Sequence, residues 1–218
     1  ATGKTLTLSA TTGVNNDQGW LTTDVGRIVK FNGGTAKITA RTNSTVAVAT
    51  IVDAFTNTDA TAPFQLGSFS DTTGFPSSVS FFEQRLVFAA TNDQPQTIFF
   101  SKSGDYENMS AGTNDDDAMV YTIASNQVNA IKAMKATRTL IVMTTGGEYS
   151  VSSGNASAIT PTNVSIVKQS NYGSAGVDAL SIGNATIFLQ RAKRKIRELA
   201  YNFDTDGYVA PDLTILAN

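Results

Sequence analysis

The apolar residues of this chain come in short runs, and that limits its fold more than any other feature. The runs read TLTLSA, GRIVKF, VAVATIV, RLVFAA, TIFF, TLIVM and TIFL. They are rich in Val, Ile, Thr and Phe, and clusters of Gly, Asn, Asp or Pro separate them. Such residues suit a pleated, half-buried surface, and the turn residues between them set the strand length. Glu, Lys and Leu are scarce for a helical protein. The expected fold is mainly β, built from many short strands.

The residue inventory narrows the chemistry. The 218 residues include no Cys and no His. Disulfides and thiolate metal sites are therefore excluded, and the commonest general base and metal ligand are missing. Ser101-Lys102-Ser103 supplies a Ser and a Lys, but neighbours on a strand point to opposite faces. The start, ATGKT, lacks the upstream Gly and the preceding strand of a phosphate-binding loop. Asp115, Asp116 and Asp117, with Asp105 and Glu107 nearby, lack the alternate spacing of a calcium loop. They read as a solvated loop whose carboxylates cap turns. Sequons at Asn43, Asn108, Asn155, Asn163 and Asn184 are what an Asn/Ser/Thr-rich chain produces by chance. No catalytic residue, cofactor or metal is expected. No stretch of 18 apolar residues occurs, so no helical membrane span is expected. The N-terminus lacks both an initiating Met and a signal-peptide pattern, and a processed, trimmed or partial chain is expected.

Two regions follow one another. Residues 1–62 predict about four strands, at Lys4–Ala10, Gly26–Phe31, Thr35–Arg41 and Thr45–Ala54, with Asn32-Gly33-Gly34 and Thr42-Asn43-Ser44 as turns. A small antiparallel barrel or sandwich is expected, with Val46 and Val48 on one face and Trp20 and Leu21 plugging an end. The polar segment 55–63 reads as a linker. Residues 63–218 hold three apolar triplets, Leu86-Val87-Phe88, Leu140-Ile141-Val142 and Ile187-Phe188-Leu189, whose first residues lie 54 and 47 apart. An apolar segment precedes and another follows each triplet. The spacing predicts blade-like repeats near 75–110, 126–155 and 175–205, as in part of a β-propeller. Closed propellers need about four to eight blades, so a fragment, blades from elsewhere, or an open stack is expected. In SFFEQRLVF (80–88), Glu83 and Gln84 read as the exposed tip of a hairpin, with Phe82 and Leu86 close across it. Neither residue favours positive φ, so a four-residue type I connection is expected.

Five blocks carry a family likeness: GFPSSVSFFEQRLVFAATNDQPQTIFFSKSGDYENM (74–109), DDDAMVYTIASNQVNAI (115–131), LIVMTTGGEYSV (140–151), AITPTNVSIVKQSNYGS (158–174) and ELAYNFDTDGYVAPDLTILA (198–217). In this order they resemble the tail nozzle proteins of short-tailed phages, also called tail tubular protein B or packaged-DNA stabilisation proteins. TTDVGRIVKFNGG (22–34) is similar to a small β module of phage proteins. The resemblance implies a virion structural protein, assembled in the host cytoplasm and located in the phage tail. It implies a β-propeller in each subunit and a sixfold ring of copies beneath the portal and adaptor. Such a ring retains packaged DNA and conducts it on ejection, touching it transiently and without sequence preference.

Two clusters are candidate contact sites. Arg191, Lys193, Arg194, Lys195 and Arg197 form a basic hairpin, suited to DNA phosphates or to an acidic patch on a neighbouring subunit. Asp115, Asp116 and Asp117 are the candidate acidic counterpart, at an inter-blade or subunit contact. The alternative function is a β-rich glycan- or receptor-binding module of a tail fibre or adhesin, with Tyr106, Tyr172 and Tyr208 as stacking platforms.

Overall fold

A computed structural model describes residues 3–61, 64–71, 73–125, 128–154, 158–204 and 207–216. Ala1 and Thr2 of the ATGKT start, linker residues 62–63 and the sequon at 155–157 lie outside the described residues. The fold is mainly β, with four antiparallel sheets, none of them closed among the described residues. The chain divides into two compact units, Ala1–Phe75 and Pro76–Asn218.

The first unit is one sheet rather than the expected barrel or sandwich. Its strands are β1 (Lys4–Thr7), β2 (Ile28–Phe31), β3 (Gly34–Arg41), β4 (Val46–Asp53) and β5 (Gln65–Leu66), in the order β1-β4-β3-β2-β5. Strand β5 adds to the edge of β2. That pairing moves the boundary from the expected residue 63 to Phe75/Pro76. The Asn32-Gly33 turn between β2 and β3 has φ of 44° and 73°, the primed geometry that matches strand twist. Trp20, expected to plug an end, is buried in the cluster of Val29, Ala36, Ile38, Ala47 and Ala49. The buried face of β4 is the alanine face, not the Val46/Val48 face. Small Ala side chains leave room for the indole, so the larger valines take the half-buried side.

The second unit contains three four-stranded meanders, each pairing consecutive strands. The first is β6 (Ser78–Phe82), β7 (Arg85–Ala89), β8 (Thr97–Phe100) and β9 (Met119–Thr122). The second is β10 (Ile131–Ala136), β11 (Leu140–Thr144), β12 (Gly147–Ser152) and β13 (Ser165–Ser170). The third is β14 (Leu180–Ile182), β15 (Ala185–Leu189), β16 (Ile196–Asn202) and β17 (Gly207–Val209). Each apolar triplet lies on the second strand of its sheet.

The sheets pack in chain order. Successive side chains on a strand point to opposite faces, and β11 uses both. Leu140 and Val142 join a core with Phe82, Val87, Ile98 and Phe100 of the first sheet. Ile141 and Met143 join another with Phe188 and Leu199 of the third. All five residues of β11 are buried, whereas β7 and β15 alternate between buried and half-buried. The middle sheet is thus the only one of the three with a packed sheet on each side among the described residues.

The connection at Glu83-Gln84 differs from the expected one. Phe82 pairs with Arg85 and Phe81 with Leu86, leaving a two-residue turn. Glu83 and Gln84 have φ of 46° and 58°, the primed type, at some cost for residues with a Cβ. Tertiary hydrogen bonds hold them there. Glu83 Oε2 accepts the Ile159 N–H at 2.6 Å, and the Gln84 carbonyl accepts the Gly104 N–H at 2.9 Å. Both residues are exposed, as expected of a hairpin tip.

Candidate functional site

The basic hairpin joins β15 to β16, and its five cations have different fates. Arg197 is 8% exposed and faces the second sheet beside Phe188. Its Nε donates to Gln190 Oε1 at 2.8 Å and its Nη1 to the Ala210 carbonyl at 2.6 Å. Its guanidinium carbon lies 3.5 Å from the centroid of the Tyr172 ring, within cation–π range. Arg197 is thus a structural residue, not an outward contact for DNA or a subunit. The strand pleat explains this: Arg197 and Glu198 must point to opposite faces, and Arg197 takes the inner one.

Lys195 Nζ pairs with Asp212 Oδ2 at 2.8 Å. Hydrogen bonds from Lys195 and Thr214 hold the Asp212 carboxyl down at about 2. Arg191 Nη1 donates to the Thr145 carbonyl at 3.0 Å, bridging the third sheet to the β11–β12 turn. Lys193 occupies a left-handed turn position with φ of 59°. Lys193 and Arg194 are exposed. The outward cationic face is therefore Lys193 and Arg194, with Arg191 and Lys195 at its margins.

The acidic loop is organised by Arg85, the first residue of β7. Arg85 is 2% exposed. Its Nη1 donates to the carbonyls of Ser101 at 2.8 Å and Asp117 at 2.7 Å, and its Nη2 to that of Asp115 at 2.7 Å. A longer bond of 3.3 Å reaches Asp116 O. Backbone carbonyls, not carboxylates, hold the loop. Lys102 Nζ meets Asp116 Oδ2 at 2.9 Å and Asp117 Oδ1 at 3.8 Å. The hydrogen bond to Lys102 lowers the Asp116 pKa, and its counterpart raises that of Lys102. Asp117 Oδ2 also accepts the Asn114 N–H at 3.0 Å, the turn-capping role expected of this loop. Asp115 and Asp116 remain exposed. Ser101 is fully buried, with its hydroxyl bonded to the Leu86 N–H and the Lys102 carbonyl. Among the described residues, no group of three or more acidic side chains is placed to hold a metal ion.

Where the second and third sheets meet, Glu148 on β12 is fully buried. Its Oε2 accepts the Ser170 hydroxyl, and its Oε1 has no partner among the described residues. Burial pushes the Glu148 carboxyl up, and the Ser170 hydrogen bond, the Tyr172 backbone and the Arg197 charge act the other way. Above it opens a groove of about 630 Å³ lined by Gln169, Asn171, Tyr172, Arg197, Tyr208 and Pro211. Two of the three candidate tyrosines, Tyr172 and Tyr208, thus share one site. Tyr106 packs edge-on against Phe81 at 5.4 Å in the first sheet.

The first unit has its own polar cluster. Arg27, 7% exposed, bonds to Asp24 Oδ1 at 2.9 Å, to Asn15 Oδ1 at 3.2 Å and to the Gly67 carbonyl. Asn15, Asn16 and Asp17 are consecutive left-handed residues, with φ of 49°, 54° and 66°. Asn and Asp tolerate that region better than other residues with a Cβ, so NND was the readable signal there. A buried Arg has no comparable signal, because Arg is normally exposed.

No family model matches the chain, and no curated protein matches it. Among the described residues no helix is long and apolar enough to cross a membrane.

Proposed function

We propose that this chain is a non-enzymatic structural component of a phage tail, a segment of a ring-shaped nozzle that retains and conducts packaged DNA. The observation that carries the reading is the run of three stacked four-stranded meanders, whose second strands hold the three apolar triplets. Such a run is compatible with part of a β-propeller, whose blades are four-stranded sheets, and supports the reading. The family-like blocks coincide with it in order. Lys193 and Arg194 supply a small exposed cationic tip, suited to brief phosphate contacts rather than tight binding. Copies of the chain in a ring, with portal, adaptor and other tail proteins as neighbours, are the partners this reading requires.

The test is immunogold labelling of intact short-tailed virions with antibody raised against the chain, joined to mass spectrometry of purified tails. Label at the tail and peptides from the tail fraction support the proposal. A chain absent from virions would overturn it.

The shared groove of Tyr172 and Tyr208 favours a second reading, a glycan-binding module. Aromatic rings beside Gln169 and Asn171 could stack and hydrogen-bond a sugar. Glycan-array binding that disappears in Tyr172→Ala and persists in Tyr106→Ala would select this reading over the first.

A further inference from the structure

We propose that the groove holding Tyr172 and Tyr208 takes a carboxylated sugar, a uronic or sialic acid residue whose carboxylate docks on Arg197. This rests on the glycan reading of the groove and names the class of glycan. Arg197 is the only charged residue among those lining it. Arg197 is also more than nine-tenths buried, and a buried charge is ordinarily answered by a counter-charge.

The other two buried arginines have that answer. Arg27 pairs with Asp24 at 2.9 Å, and Arg85 lies in the field of Asp116, Glu83 and Asp117. Arg197 makes no ion pair among the described residues. Asp212, its partner in the backbone ladder, turns its carboxylate to Lys195 and Thr214 instead. Glu148 is near enough to feel the Arg197 charge, but burial favours its neutral form.

One arm of the guanidinium is left over. Nε donates to Gln190 and Nη1 to the Ala210 carbonyl, while Nη2 has no hydrogen-bond partner among the described residues. The fully buried side-chain polar atoms without a partner among those residues are Trp20 Nε1 and Glu148 Oε1. Nη2 is therefore reached by solvent, through the groove that Arg197 lines. A guanidinium N–H and a carboxylate oxygen form a charge-assisted bond, roughly twice as strong as a neutral one. Around that point the groove suits a ring bearing hydroxyls. Tyr172 is 40% exposed, Asn171 is exposed beside it, and about 630 Å³ is room for a sugar-sized ligand. The chain has a net charge of −2, so a preference for acids must come from this local charge and not from the field of the whole molecule.

The test is an NMR titration of the chain with methyl glycosides of glucuronic, galacturonic and N-acetylneuraminic acid, each as the free acid and as its methyl ester. At least one acid should shift groove resonances with a Kd at least about tenfold below that of its ester. Arg197→Gln, with its spectrum confirming the fold, should erase that preference. Asn171→Asp, an exposed change that puts an opposing charge in the groove, should cut the preference at least about threefold and keeps the test open if Arg197→Gln unfolds. Esters that bind as tightly as the acids overturn the inference and leave the glycan reading standing. An acid preference untouched in a folded variant of either kind overturns it as well. Binding of neither acid nor ester overturns the inference and the glycan reading together. N-acetyl-glutamate α-amide is the last arm. If it binds the groove as tightly as the sugar acids, the counter-charge is a protein carboxylate and the sugar assignment is refuted.

Discussion

Arg27, Arg85 and Arg197 are each more than nine-tenths buried, and each spends its guanidinium partly or wholly on backbone carbonyls of irregular chain. A planar fork of five donors can satisfy several such carbonyls at once, which Lys cannot. Arg85→Lys should therefore keep the charge yet lose most of the stability that Arg85→Ala loses. The expected loss for Ala is about 3 kcal/mol, since carbonyls are left without donors in a buried place. Urea titration of the two variants beside the parent measures it. Glu148 gives a prediction of opposite sense. Its folded pKa is raised, so the folded state binds the proton more tightly than the unfolded one. Its contribution to stability is most favourable at low pH. It falls as pH rises from the ordinary carboxylate value through the raised one. Glu148→Gln should flatten that fall and be more stable than the parent near neutral pH, checked by denaturant midpoints from about pH 4 to 8. Neither role was legible from sequence, because a buried polar side chain is defined by what packs over it.

At the scale of the element, strands were far more legible than the turns joining them. Alternation and β-branching located β2, β3, β4, β7, β11 and β15, since those signals arise within the strand itself. Strand β5 was missed because two residues carry no period, and its identity comes from its partner β2. The Glu83-Gln84 turn was missed for a related reason. Local preference argues against positive φ, and bonds from Ile159 and Gly104, distant in sequence, override it. Gln84→Gly removes strain at φ 58° while keeping the carbonyl that Gly104 uses. It should raise stability by about 1 kcal/mol, read as a higher denaturation midpoint. Glu83→Gly relieves similar strain but strips Ile159 of its acceptor, so it should gain less or nothing.

For the whole molecule, the repeat was readable because three second strands share one apolar pattern. Which sheet lies buried between two others was not readable, since burial on both faces depends on neighbours. Ile141→Ala should cost about 3–4 kcal/mol, and Ile187→Ala distinctly less, because Ile187 sits on the outer face of the third sheet. Thermal melts of the two variants test this. The stack also has a consequence for how the chain folds. In each meander of the second unit the named strands pair with their neighbours in sequence, and even its longest connection, residues 101–118 between β8 and β9, is local, so each meander can close as soon as its own residues are available. The first unit must instead bring β1 to β4 and β2 to β5 across longer stretches. During synthesis the second unit can form sheet upon sheet in the order of translation, each new meander condensing on the last. The first unit, though made earlier, has to wait for residue 66 before its sheet is whole.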